Sequence, residues 1–165
     1  MIQDAVVDLF IENATKAGAH VVRVTNVEEL NSSLAGMLDR VNSVYSPGLT
    51  ETERTLDIPA ECRTDDYKDA AACVEEVHGA IAETGSLICS SRGGRAVQAG
   101  LLPRRHIAIV SAENIFADLD RFLGDLGDSP PTNVTLETGP SRTADIELTL
   151  TIGVHGPEHL GIIVL

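Results

Sequence analysis

The chain has 165 residues, 43% of them hydrophobic, only 3% aromatic and none Trp, with a formal net charge of −13. Its length suits one domain over residues 1–165, with a core of Val, Ile, Leu and Ala. The acidity argues against nucleic acid, whose phosphates need neutralising cations, and against an anionic membrane; so few aromatics leave no stacking platform for bases.

The three cysteines, Cys62, Cys73 and Cys89, are scattered and form no C-x-x-C pair. That spacing builds neither a disulfide framework nor an iron–sulfur cluster or structural zinc knot, and it fits free thiols in the cytoplasm. The amino end has no basic stretch of a secretory signal, and no apolar run reaches membrane-spanning length.

Residues 3–18 read as a helix, with Val6, Phe10, Ala14 and Ala17 at helical spacing and Gly18 as its stop. A strand follows at 20–24. Thr25 and Glu28 then read as a capping box for a helix lined by Val27, Leu30, Leu34, Leu38 and Val41. Segment 42–67 is the least patterned. It is read as loops, with a brief strand at 43–46 and a helical turn at 50–56.

Residues 71–77 read as a strand, and 86–90 as a buried strand after a short one at 81–82. Glu83, Thr84 and Gly85 interrupt these apolar residues. A carboxylate so placed is expected to be partly desolvated, and is either a paired structural residue or a catalytic one. Arg92-Gly93-Gly94-Arg95 reads first as a tight turn with exposed arginines, and otherwise as a backbone approach for a ligand. A short helix is expected over 95–101 and a buried strand over 106–110. Ser111 is read as the cap of a helix lined by Ile115, Leu119, Phe122, Leu123 and Leu126. Strands follow at 133–136 and 161–165, and 148–152 fits strand or helix.

The stretch T-G-P-S-R-T-A-D-I-E-L-T-L-T-I-G-V-H-G-P, 138–157, concentrates polar groups between two Gly-Pro turns. A hydroxyl followed by Ala-Asp-Ile-Glu reads as a helix start, and Arg142 adds a charged planar fork there. Ser141, Arg142, Thr143, Asp145 and His155 are thus candidate ligands for a small carboxylate or phosphate, joined by Thr84 and Gly85. The alternative is an ordinary capped turn in which Arg142 pairs with Asp145 or Glu147. The stretch holds too few ligands for a four-coordinate metal, so no metal is expected; nor is a redox cofactor. Strands alternating with helices imply an α/β fold, a mostly parallel sheet flanked by helices, with ligands outside the carboxyl ends of its strands.

I-A-E-T-G-S-L (81–87), L-L-P-R-R-H-I (101–107), T-G-P-S-R-T-A-D-I-E (138–147) and G-V-H-G-P (153–157) together resemble the LUD domain, the lactate-utilization protein C family, across residues 70–165. Ser86 stands where that family often has Thr, and the chain is shorter than many members at its amino end. The resemblance implies a fold of the ribose-5-phosphate isomerase and CoA-transferase type. It also implies a part in oxidising lactate to pyruvate beside two iron–sulfur partner proteins, without a cluster of its own. Two other readings stay open: a stand-alone enzyme on an acyl or sugar-phosphate substrate with Glu83 as nucleophile or base, and a scaffold without chemistry.

Overall fold

A computed structural model describes residues 2–144, 150–152 and 156–165. Helix α1 (Ile2–Lys16) buries Val7, Phe10 and Ala14, one stripe of the expected helical pattern. After β1 (His20–Arg23), α2 (Val27–Met37) buries Leu30 and Leu34. Its cap is Asn26, one residue past the expected Thr25. The Asn26 side chain accepts the Glu29 N–H, and the Glu29 carboxylate accepts from the Thr25 N–H and hydroxyl. In the weakly patterned segment lie β2 (Val44–Tyr45) and α3 (Glu51–Arg54), the latter started by a capping box of Thr50 and Glu53.

Apolar runs place β3 (Ala72–Glu76), β4 (Gly79–Ile81), β5 (Ser86–Ser90) and β6 (Arg105–Val110), with the short helix α4 (Gln98–Leu101) before β6. The next segment departs from expectation. Ser111 caps no long helix; a 3-10 turn at Ala112–Asn114 leads into β7 (Ile115–Phe116). Helix α5 (Leu119–Asp125) begins only after Asp118, whose carboxylate accepts the Arg121 N–H. Ile115 is buried as a strand residue because β7 pairs with β4, which no local periodicity announces.

The chain continues through β8 (Val134–Glu137), β9 (Arg142–Ala144), β10 (Leu150–Ile152) and β11 (His159–Val164). Of the helix start expected from Ser141 or Thr143 into Ala-Asp-Ile-Glu, Thr143 and Ala144 therefore lie in a strand, while 145–147 lie outside the described residues. That strand, β9, pairs antiparallel with β10, Arg142 opposite Ile152 and Ala144 opposite Leu150. Alternation of Leu150, Thr151 and Ile152 suits that hairpin, and it resolves the ambiguous 148–152 stretch as strand where the chain is described.

Five parallel strands in the order β1-β11-β6-β3-β2 make the main sheet. One face carries Val74, Ile107, Ile109 and Ile163 against Leu30 and Leu34 of α2. Ala108, Val110, Leu160, Ile162 and Val164 point the other way, onto α1 and a second sheet, β7-β4-β5-β8, through Ala80, Leu87 and Cys89. The outer face of that sheet packs Ile81 and Ile88 on Phe122 of α5. The architecture is the expected α/β fold with a mostly parallel sheet. The second sheet is an addition to it, because the Glu83-Thr84-Gly85 turn sends β5 back antiparallel to β4.

Candidate functional site

At the carboxyl edge of the parallel sheet a crevice of about 350 Å³ opens between Leu49 and Thr50 after β2, Glu76 to His78 at the end of β3, and Ser90, Arg92, Gly93 and Arg95 after β5. Crevices of this kind are where parallel α/β sheets hold ligands. Ser90 is buried, and its Oγ lies 2.9 Å from His78 Nδ1. His78 leans edge-on against Phe122, ring centroids 5.6 Å apart. Burial, then the Arg92 charge, hold the His78 pKa below its ordinary value, so the imidazole is neutral at neutral pH. Arg92 is exposed at the mouth.

Below this floor runs a chain of buried charges. Arg95 Nη1 lies 2.6 Å from Glu53 Oε1 and 3.5 Å from Glu75 Oε2. Glu75 Oε1 is 3.3 Å from His106 Nε2, and His106 Nδ1 is 2.7 Å from Glu137 Oε2. Buried carboxylates persist only when paired or hydrogen-bonded. Glu53 accepts the Leu49, Thr50 and Glu76 N–H groups as well. His106 is fully buried. Burial alone would depress its pKa, but Glu137 and Glu75 outweigh that and raise it to about 10. Cys73 stands opposite His106 in the β3–β6 register, its thiol pKa pushed well up by burial and next by Glu75.

Glu137 brings this chain to a second cleft, of about 480 Å³, lined by Leu136 to Arg142, Gly156, Pro157, Ala17 and Leu101. Ala17, Leu101 and Pro157 shortly precede β1, β6 and β11, so this cleft lies at the amino edge of the parallel sheet. The Gly139-Pro140-Ser141-Arg142 turn thus sits at the edge opposite the one expected from the rule for parallel sheets.

The anticipated residues come together only in part. Thr84 Oγ1 lies 2.7 Å from Ser86 Oγ, which lies 2.6 Å from Thr138 Oγ1, so a row of hydroxyls joins the Glu-Thr-Gly turn to the Thr-Gly-Pro turn. Ser86 keeps the hydroxyl that this bridge needs. Gly85 packs on the backbone of α1 at Asn13 and Ala14. Ser141 donates its N–H to Pro157 O at 2.9 Å. Arg142 Nη2 donates to Ala17 O at 2.8 Å, at the carboxyl end of α1. Thr143 lies in β9, while Asp145 and His155 lie outside the described residues.

Glu83 departs from expectation. It is exposed, not desolvated, because the chain turns outward after Ile81. Its Oε1 accepts the Leu119 N–H at 3.2 Å, at the start of α5, and it lines neither cleft. The functional candidates that sequence reasoning misses are Glu53, Glu75, His106 and Glu137; Arg95, expected to be exposed in its turn, is instead largely buried because it pairs with Glu53 and Glu75. A signal is present for two of the missed residues: Glu75 follows the apolar run 70–74 and His106 opens the apolar run 107–110, and such residues are buried only with partners.

A parallel sheet backed by a second sheet, with a polar crevice at its carboxyl edge, defines a mixed α/β protein. The crystal structure of a DUF162 family protein from Deinococcus radiodurans shares the fold, with a TM-score of 0.64 and 23% identity over 98% of this chain and 97% of that one. The LUD domain model matches residues 52–165, and the chain belongs to that family. A lactate utilization protein C of Halalkalibacterium halodurans is 32% identical over 83 residues, 47% of this chain and 36% of the relative. That of Bacillus licheniformis is 36% identical over 92 residues, 52% of this chain and 38% of the relative. The matched part is therefore well under half the length of these relatives.

Proposed function

We propose that the chain serves lactate utilization as a non-redox subunit that binds a small carboxylate or phosphate, beside iron–sulfur partner proteins in the cytoplasm. The kinship with lactate utilization proteins C supports the process. The observation that carries the ligand class is the carboxyl-edge crevice, with Arg92 at its mouth and the His78–Ser90 pair on its floor. A guanidinium suits a carboxylate or phosphate. A neutral imidazole and a hydroxyl suit the neighbouring hydroxy or keto oxygen of a short acid.

Calorimetric titration with lactate, pyruvate and inorganic phosphate tests this. Arg92→Ala is expected to weaken the tightest of the three about 10–100-fold, the worth of a charge-assisted hydrogen bond. Unchanged affinity refutes the crevice. A loss on Arg142→Ala instead puts the anion in the amino-edge cleft. Capture of the tagged full chain from lactate-grown native cells is expected to bring iron–sulfur proteins with it; their absence refutes the partnership.

A further inference from the structure

We infer that Cys73, Glu75 and His106 form a binding site for one divalent transition-metal ion of the zinc class. Among the described residues they are a group of three metal-ligating side chains whose donor atoms all lie within 4.8 Å of one another, and all three are buried. Glu75 Oε1 and His106 Nε2 are fully shielded from solvent and face each other at 3.3 Å as an ion pair without a well-formed hydrogen bond. Buried polar atoms are rarely left so, because each costs the desolvation it suffers. Their 3.3 Å separation matches the bite of an ion about 2.0–2.1 Å from each at close to the tetrahedral angle.

The surroundings are those of ligands held in place. Glu137 Oε2, 2.7 Å from His106 Nδ1, fixes the ring and its tautomer with Nε2 turned to the site, the carboxylate–histidine–metal arrangement. Arg95 steadies Glu75 through the other carboxylate oxygen, Oε2, at 3.5 Å. Glu53 and Glu75 pair with Arg95, and Glu137 pairs with His106, so once the imidazole is neutral three buried carboxylates stand against one guanidinium and the local field favours a cation. Space is kept free on the open side by Gly100 of α4. A Cβ there would stand 2.8 Å from His106 Nε2 and 2.9 Å from Glu75 Oε1, directly before both donor atoms. One thiol, one imidazole and one carboxylate select zinc, cobalt or nickel over magnesium or calcium. The ion displaces the thiol proton of Cys73 and the Nε2 proton that His106 carries in the metal-free site, and both protons leave to solvent. Three protein ligands leave one position for water or another donor.

Full-length protein, stripped with a chelator and titrated with Co²⁺ without oxygen, is expected to develop tetrahedral d–d bands and a thiolate-to-cobalt charge-transfer band, saturating at about one equivalent. Cys73→Ser removes the charge-transfer band. Glu137→Gln weakens Zn²⁺ about 10–100-fold, as loss of such a supporting carboxylate does. Gly100→Ala blocks uptake. Failure of the unaltered chain to bind Zn²⁺ or Co²⁺ beyond a trace overturns the inference, whatever the variants do. So does a cobalt spectrum that survives Cys73→Ser.

Discussion

Glu83 shows how little a residue's sequence neighbours say about its solvation. Ile81 and Ala82 are buried and Leu87 and Ile88 are buried, yet the carboxylate between them is in water. Glu83→Gln keeps an acceptor for the Leu119 N–H, so unfolding in urea is expected to show a loss within about 1 kcal/mol. A loss of about 3–5 kcal/mol, the signature of a broken buried pair, would contradict the exposure. His78 makes a second test at this scale. Its folded pKa is lowered, first by burial and then by Arg92, so the folded chain resists the proton that the unfolded chain accepts. The stabilisation is present above about pH 6.5 and is lost as pH falls through the lowered folded value. The stability difference between the parent and His78→Gln should therefore shrink between roughly pH 7.5 and 5.5. A difference that stays constant across that range refutes the assignment.

At the scale of elements, the two family turns serve first as joints. The Glu-Thr-Gly turn docks on α1: Asn13 Nδ2 donates to Ala82 O at 2.8 Å and to Glu83 O at 3.2 Å, and Gly85 has a φ of 68°. A Cβ at Gly85 would overlap the backbone of Asn13 and Ala14 in a conformation that L residues rarely adopt. Gly85→Ala is expected to destabilise the fold by about 1–3 kcal/mol or more, read from the urea midpoint. A neutral result would mean that the turn is not seated on α1. Arg142 plays a similar part from the other motif, its guanidinium meeting the carboxyl end of α1, where a cation suits the helix dipole. Elements with strong local periodicity are legible in the amino-acid sequence: α1, β5 and β6 all fall within a residue or two of their expected ends. Those defined by a distant partner are not. β7 exists because β4 lies beside it, and β9 because β10 does.

For the molecule as a whole, the sequence pattern and the family resemblance lead to the parallel sheet but not to its companion. Strand spacing says little about which strands turn back on themselves, so the β7-β4-β5-β8 sheet stays hidden in the sequence. The candidate site is legible there only as separate pieces. The Arg92-Gly93-Gly94-Arg95 loop is visible as a positive spot, whereas Glu53, Glu75, His106 and Glu137 come from four distant segments. The β3–β6 pairing brings Glu75 beside His106, α3 adds Glu53, and the stacking of the second sheet adds Glu137 from β8 to complete one line. That line passes between the two clefts, with Arg95 on the wall of one and Glu137 on the wall of the other.

The strand order also sets a timetable for folding. β1 has its single ladder with β11, whose residue Gly161 opposes His20 roughly 140 positions away along the chain. β11 in turn is the strand that ties β1 to β6. A ribosome delivering the chain from its amino end thus releases β1 long before anything can pair with it. α1, which packs directly on β1, is left to keep that strand's apolar residues from other partners until the last ladder closes.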